Sequence, residues 1–288
     1  MDFYATEEDD EPFKVNEQRF WSIRTIPKFL LFGIPRIVFM IVFYIIIFII
    51  TLSFNKDNIN FQNKFIGYCA RLKLEFFGFK DIDIDEKSFE IIKNSKAQII
   101  ICNHSSYIDS LLLLYLIPEA KIIASDFVGK IPIINNLFKH KCLYLTSDFK
   151  GNMTDLIAKE IEMGNRIIIF SEGVCCRSDL LIKLRNGAFV PKKNILPIFI
   201  DYPDKNYWVM GENDMVMHAM CLLANRRNRI LLRACPEYVV EEKDNDVKQF
   251  NENFRKYYAQ EFNIKLSKKS YKDHPFYKQK IKNIPEKK

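Results

Sequence analysis

Short apolar runs alternate with stretches of helical periodicity from about residue 81 to residue 263. The apolar runs predict strands at 98–102, 121–125, 141–146, 166–170, 195–200 and 229–235. The periodic stretches predict helices near 106–117, 132–139, 152–163, 212–225 and 244–263. This alternation is typical of α/β proteins, in which helices cover a largely buried sheet. No low-complexity linker and no internal repeat interrupts it, so we predict a single α/β domain.

A different pattern precedes this domain, because residues 37–54 are eighteen consecutive positions without a charged side chain. As a helix, the run would be roughly 27 Å long, close to the hydrocarbon thickness of a bilayer. A buried core helix is the alternative, but apolar residues on every face and the flanking Arg36 and Lys56 favour lipid. Residues 29–35 are also apolar, and Gly33 and Pro35 could turn the chain. We therefore predict a membrane anchor that is either a single span or a re-entrant hairpin.

These patterns divide the chain into an N-terminal cytosolic segment (1–28), the membrane anchor (29–54), the folded domain (55–263) and a Lys-rich tail (264–288). Residues 61–79 have helical spacing with basic flanks, which predicts a helix that faces either the core or the lipid surface. The 288-residue chain has a formal net charge of +7, and the tail alone carries nine lysines against two acidic residues. We expect the tail to be solvated or attracted to an anionic membrane surface, and we expect no nucleic-acid partner.

The seven cysteines show no spacing typical of a secreted disulfide framework, which indicates reduced thiols in the cytosol. Asn103, His104 and Ser105 would form a glycosylation acceptor in the secretory lumen, where a glycan would lie beside His104. This also favours a cytosolic domain. The adjacent Cys175 and Cys176 have no second pair at metal-ligand spacing, so we predict no metal site.

The first candidate for chemistry is the sequence NHSSYID at 103–109, where a predicted strand ends and a helix begins. Such strand ends are where α/β folds bind ligands. His104 and Asp109 are five residues apart, so the carboxylate can reach one imidazole nitrogen and leave the other as a general base. Alternatively, Asp109 only supports the helix N-terminus and His104 is an ordinary polar residue. The spacing by itself leaves both interpretations open.

The second candidate is FSEGVCCR at 170–177, which follows the predicted strand 166–170. Glu172 and Gly173 at a strand tip can position a polar substrate through side-chain and backbone contacts. Arg177 suits phosphate because its planar guanidinium is always charged. The alternative is a surface turn that happens to contain an arginine.

Four motifs together resemble those of the glycerolipid acyltransferases, which include 1-acylglycerol-3-phosphate and lysophospholipid acyltransferases. HSSYID resembles the family's H-x-x-x-x-D motif, and FSEGVCCRS is similar to its F-P-E-G-T motif. LRNGAFV at 184–190 is similar to the F-K-x-G-A-F stretch, and ILPIFI at 195–200 to the final V-P-V strand. The order agrees over roughly residues 95–205, and the E-G-x-C run looks most like the lysophosphatidylcholine acyltransferase subgroup.

The sequence departs from the family's pattern at three places. Ser171 stands where the family usually has Pro, and Val174 stands where it has Thr. An Arg that is common in the second motif is missing, and Thr146 lies near its place. The basic residues that could bind phosphate instead are Lys130, Lys141, Lys150, Arg177 and Arg185, of which Arg185 matches the basic residue of F-K-x-G-A-F.

The resemblance implies that residues 55–263 form an acyltransferase domain of the family's α/β fold behind a membrane anchor. The implied reaction transfers an acyl group from acyl-CoA, as co-substrate with no other cofactor, to a lysophospholipid hydroxyl. In it, His104 would be the general base and Asp109 would orient it. The residues implied to bind the acceptor are Glu172, Gly173, Arg177 and Arg185.

The implied location is the endoplasmic reticulum membrane, with the domain facing the cytosol. Three alternatives to this function remain: a different acceptor (1-acylglycerol-3-phosphate or glycerol-3-phosphate), a CoA-independent transacylase, or a non-catalytic lipid-binding scaffold of the same fold.

Overall fold

The computed structural model describes residues 3–14, 25–52, 58–125, 141–145, 153–205, 207–209, 214–275 and 277–278. The predicted helix at 132–139 lies outside these ranges, as do Lys130, Thr146, Lys150 and residues 279–288 of the predicted tail. Within them, a mostly parallel sheet lies between two layers of helices, behind an apolar N-terminal helix. This confirms the predicted α/β class.

Seven strands form the central sheet in the order β1-β8-β7-β2-β5-β3-β4. Strands β7, β2, β5, β3 and β4 run parallel to one another, whereas β8 is antiparallel to β7 and parallel to β1. A separate parallel pair joins β6 to β9. The strands are β1 (Ile82–Ile84), β2 (Ile99–Cys102), β3 (Lys121–Ser125), β4 (Cys142–Leu145), β5 (Ile167–Ile169), β6 (Leu180–Lys183), β7 (Ile195–Asp201), β8 (Ile230–Ala234) and β9 (Lys265–Ser270).

The described helices are α1 (Thr25–Thr51), α2 (Ile59–Phe76), α3 (Glu86–Asn94), α4 (Asp109–Leu116), α5 (Met153–Glu162), α6 (Met215–Ala224) and α7 (Val247–Phe262). Local chemistry fixes several of their ends. The side chains of Asp85, Asp214 and Asp246 accept hydrogen bonds from backbone N–H groups in the first turns of α3, α6 and α7. Asn263 ends α7 in the left-handed conformation.

The two faces of the sheet carry separate apolar cores. Strand β2 shows why, since its side chains alternate between the faces. Ile100 and Cys102 pack in a cluster with residues of α2, α4 and α6. Ile99 and Ile101 pack in a second cluster with residues of α5 and α7. A strand buried on both sides reads as a continuous apolar run, which is why the sequence reveals it.

Helix α1 is long and apolar enough to cross a membrane, judged by length and composition alone. It contains a π-helical turn over Phe29–Gly33 but does not turn back at Gly33 or Pro35, so the hairpin considered for those residues is not formed there. Its first half is fixed to the domain, because the Arg36 guanidinium donates to the carbonyls of Leu223 and Asn225. Apolar side chains further along are more than half exposed, among them Phe39, Ile41 and Ile49.

Helix α2 follows as the partner of α1. It buries Ile66, Cys69 and Ala70 together with Ile47 of α1. Ile59, Phe61 and Tyr68 on the same helix remain exposed. One side of α2 thus packs against the protein, as expected for a core-facing helix, and the other side is exposed.

The chain before the anchor forms an arm, residues 3–14, that packs on the far end of the sequence. Leu266 of β9 exchanges backbone hydrogen bonds with Phe3 and Ala5. Pro12 accepts a hydrogen bond from the backbone N–H of Arg177, and Phe13 is buried in a cluster that includes Cys176. The sequence predicts only a separate N-terminal segment here, because contacts between the two ends of a chain leave no local sequence pattern.

Four elements are absent from the sequence prediction: β1, α3, β6 and β9. Strand β9 lies inside the predicted tail, so the fold extends beyond residue 263. Its sequence, KLSKKS, has one apolar residue, and the lysines conceal a strand whose Leu266 and Ser267 are fully buried. The six predicted strands are all present, and each end lies within one residue of its predicted position.

Candidate active site

The two candidate motifs meet at one edge of the sheet. Strands β2 and β5 are parallel neighbours, with Ile101 opposite Ile169, so the chain segments after their carboxyl ends emerge side by side. The loops are joined directly, because the Cys176 N–H donates to the His104 carbonyl at 2.8 Å. Ligand sites of open α/β sheets lie at this carboxyl edge.

His104 and Asp109 form the side-chain contact that their spacing predicts. Nδ1 of His104 lies 3.0 Å from Oδ2 of Asp109. The carboxylate is fully buried at the start of α4, whereas 19% of the His104 side chain is exposed. A carboxylate at Nδ1 favours the tautomer that carries its proton there, which leaves Nε2 with a free lone pair. The arrangement can therefore accept a proton from a substrate.

Other groups hold this pair in place. Oδ2 of Asp109 also accepts the backbone N–H groups of Ser105 and Ser106, each at 2.8 Å. The hydroxyl of Tyr202 donates to Oδ1. The His104 ring stacks on Phe170, with ring centres 4.1 Å apart. The interpretation of Asp109 as only a helix-terminal support therefore does not describe its contacts, which include the imidazole.

The residue before His104 is anchored in the core. The Asn103 side chain exchanges two hydrogen bonds with the backbone of Ile200 on β7, each 2.8 Å long. Its backbone N–H donates to the hydroxyl of Tyr258 on α7. No motif in the sequence marks Tyr202, Tyr258 or the anchoring role of Asn103, so they could not be predicted. Their only signal is that Tyr202 directly follows the apolar strand β7.

Glu172 lies at the junction of the two loops, but it points into the protein. It is 1% exposed. Oε2 accepts the His104 N–H at 2.6 Å, and Oε1 accepts the Cys176 thiol at 3.0 Å. Burial raises the pKa of this carboxyl to about 8, because removal from water penalises the charged form. Both oxygens therefore contact protein groups.

Gly173 and Arg185 are in close contact. Gly173 has a φ of +75°, and a Cβ there would lie 2.7 Å from Cδ of Arg185. The backbone N–H of Arg185 donates to the Ser171 carbonyl at 2.7 Å, which places this arginine beside the loop. Its guanidinium carbon lies 5.0 Å from the centre of the Tyr271 ring. Within the described ranges, no acidic side chain forms an ion pair with it.

The other basic candidates differ from Arg185. The Arg177 guanidinium binds Asp179 through both Nε and a terminal nitrogen, so its charge is already compensated. Lys141 precedes β4 and lies at the opposite, amino edge of the sheet, where its Nζ donates to the Glu119 carbonyl. Burial lowers the pKa of Lys141 to about 8. Of the candidates that the structure describes, Arg185 alone is near the site with an uncompensated charge.

The cysteines of the second motif are buried thiols. Burial raises the pKa of both Cys175 and Cys176 well above the ordinary range, which disfavours the nucleophilic thiolate. Across the residues that the structure describes, no group of three or more His, Cys, Asp or Glu side chains is arranged to hold a metal ion.

The fold and the site agree with the motifs. A parallel-sheet domain carries a His–Asp pair and a Glu-Gly turn at one edge of its sheet. Residues 84–201 match the family model described as Acyltransferase. This match, which covers fewer than half of the residues, confirms the resemblance that the motifs indicate.

Individual relatives narrow the comparison. The chain is 28% identical over 247 residues to a lysophospholipid acyltransferase of Arabidopsis thaliana. The aligned region covers 73% of this chain and 61% of that protein. It is 24% identical over 186 residues to a lysophosphatidylcholine acyltransferase of Drosophila melanogaster, covering 61% of this chain and 35% of that protein. This chain thus spans less than two thirds of the length of either relative.

A solved structure has the same fold. The 1-acyl-sn-glycerophosphate acyltransferase PlsC from Thermotoga maritima superposes with a TM-score of 0.57 at 16% identity, covering 85% of this chain and 99% of that one. This similarity supports the fold, including the arrangement of the helices around the sheet.

Proposed function

We propose that this protein is a membrane-associated, acyl-CoA-dependent acyltransferase that re-acylates a lysophospholipid. The observation that carries the proposal is the contact between His104 Nδ1 and Asp109 Oδ2, placed where the E-G turn reaches the same sheet edge. The names of the Arabidopsis and Drosophila relatives support a lysophospholipid acceptor.

The chemistry requires a base, because an alcohol is a poor nucleophile near neutral pH. Nε2 of His104 takes the proton of the acceptor hydroxyl as its oxygen attacks the thioester carbonyl. The Asp109 carboxylate stabilises the imidazolium that forms. The new ester C–O bond replaces the C–S bond, and the departing CoA sulfur takes the proton back from His104. The acceptor attacks directly, so no acyl-enzyme is needed.

The second motif supports this step in two ways. Glu172 holds the His104 loop through the backbone N–H, so we assign it a positioning role in place of the acceptor contact expected from the sequence. Arg185, which pairs with no acidic side chain in the described part of the chain, supplies a guanidinium for the phosphate of the acceptor beside Gly173. Arg177 is assigned a smaller part, since Asp179 already occupies its guanidinium.

The exposed apolar face of α1 supports a membrane location. The acceptor and the product of this reaction reside in a bilayer, whereas acyl-CoA arrives from water. An enzyme held at the interface meets both. We propose the endoplasmic reticulum, with the domain on the cytosolic side, where seven free cysteines are compatible with a reducing compartment.

A non-catalytic lipid-binding scaffold is the second candidate function, and the departures at Ser171 and Val174 favour it. One experiment separates the two. Purified full-length protein is given oleoyl-CoA and a panel of lysophospholipids, 1-acylglycerol-3-phosphate and glycerol-3-phosphate, with lipid product and free thiol both measured. We expect equimolar product and thiol with a lysophospholipid. Thiol without lipid product would indicate a thioesterase, and lipid binding without turnover would indicate the scaffold.

A further inference from the structure

Tyr202 stands immediately after β7 and reaches the carboxylate of Asp109 from the side opposite His104. The side chain is 1% exposed, and its ring packs edge-on against Phe79 with ring centres 6.0 Å apart. Its hydroxyl donates to Oδ1 of Asp109. The phenol therefore has a fixed position and one direction in which to donate.

The hydrogen bonds of Asp109 are divided between its two oxygens. Oδ2 receives His104 Nδ1 and the backbone N–H groups of Ser105 and Ser106, and Oδ1 receives Tyr202. Donors on one oxygen alone leave the carboxylate free to tilt about the Cβ–Cγ bond. A donor on the second oxygen fixes that rotation, and with it the direction in which Oδ2 faces the imidazole.

We propose that Tyr202 is a positioning residue of this site, which holds Oδ1 of Asp109 and so keeps Oδ2 directed at His104 Nδ1. This inference rests on the proposed function for its kinetic consequences. Its structural part is that a residue at the end of β7 controls the His104–Asp109 contact. This part does not depend on that function.

Tyr202 also sets how strongly Asp109 attracts the proton of the imidazolium. Loss of the Tyr202 hydrogen bond lets Oδ2 turn away from Nδ1, so the carboxylate becomes a weaker partner for protonated His104. The other ionisable groups that face the pair are Glu172, Cys102, Cys175 and Cys176, all of them buried. Burial raises the pKa of each, which favours their uncharged forms near neutral pH.

The test compares two tyrosine variants of the full chain in detergent. Tyr202→Phe removes the hydroxyl that contacts Asp109. Tyr238→Phe removes a buried hydroxyl that contacts another carboxylate, Asp244, outside the site. Loss of a hydrogen bond to a charged group is expected in both, so the two variants have a comparable cost in stability.

We expect Tyr202→Phe to lower kcat roughly ten- to a hundredfold while the KM for each substrate stays within about twofold. The pH at which activity reaches half of its plateau should fall in this variant only, because a misdirected carboxylate stabilises protonated His104 less. ¹⁵N NMR titration of His104 supplies a readout that does not require turnover, and its midpoint should move in the same direction.

The outcomes separate the two proposals. If the wild-type protein transfers no acyl group but the His104 titration moves only in Tyr202→Phe, the positioning role stands and the proposed function fails. If the wild-type protein is active and Tyr202→Phe matches Tyr238→Phe in kcat, pH profile and NMR midpoint, the positioning role is refuted.

Discussion

Glu172 illustrates how far single residues can be interpreted from a motif. Its place in an E-G turn suggests a carboxylate that faces the substrate, yet both oxygens bind protein groups. The spacing of His104 and Asp109 did predict their contact, because a turn and the start of a helix keep such residues close. Tyr202 and Tyr258 could not be predicted, since they reach the site from strands and helices far along the chain.

Glu172→Gln should retain most of the activity, whereas Glu172→Ala should lose much more. Glutamine keeps the acceptor for the His104 N–H, and alanine leaves that buried donor unpaired at a cost of about 1–3 kcal/mol. Measurement of kcat for both variants tests this. Equal loss in the two would show that the site requires the charge of Glu172.

The same carboxyl makes stability depend on pH. Its pKa is about 8 in the folded protein and near 4.5 ordinarily, so the folded state retains a proton that the unfolded chain loses. The free energy of unfolding should therefore fall as pH rises from 4.5 to 8. Urea unfolding across this range should show a shallower decline for Glu172→Gln, and an unchanged slope would contradict the assignment.

Arg255 joins α7 to the two-stranded sheet that leads into Arg185. Its side chain is 2% exposed. The guanidinium donates to the carbonyls of Leu181, Ile182 and Ser267. The periodicity of the sequence predicts α7, whereas β6 and β9, which are joined to this helix by Arg255, have no such signal. The sequence of α7 does not indicate which groups Arg255 binds.

Arg255→Leu should lower the free energy of unfolding by about 3–5 kcal/mol, because three buried carbonyls lose their donor. Thermal or urea unfolding in detergent measures the change. Glu252→Gln is the matched control, since Glu252 is the partly exposed ion-pair partner of Arg255 and its loss should cost less than about 1 kcal/mol. Similar effects in both variants would contradict this role.

For the whole molecule, the two ends of the chain determine how it sits at a membrane. The arm is acidic and β9 is basic, and the ion pairs Asp9–Lys265 and Glu11–Lys269 add to the backbone contacts. The apolar run predicted α1, but basic residues on both flanks gave no orientation. Contact between the arm and the domain requires both to lie on one face of the bilayer. This favours an anchor that does not cross it as a single span.

Tags placed at the N- and C-termini should therefore both be accessible to protease in sealed vesicles. Permeabilised vesicles serve as the control for total accessible tag. Protection of one tag with cleavage of the other would show that α1 crosses the bilayer and that the arm lies apart from the domain.

The role of His104 as the general base of acyl transfer can be checked by comparing two purified proteins. Purified wild type and His104→Ala, matched in thermal unfolding, are given oleoyl-CoA and the preferred lysophospholipid, and lipid product is followed over time. We predict a fall in turnover of about 10²–10⁴-fold in the variant, the range for loss of a general base. Turnover near that of the wild type would show that His104 is not the base.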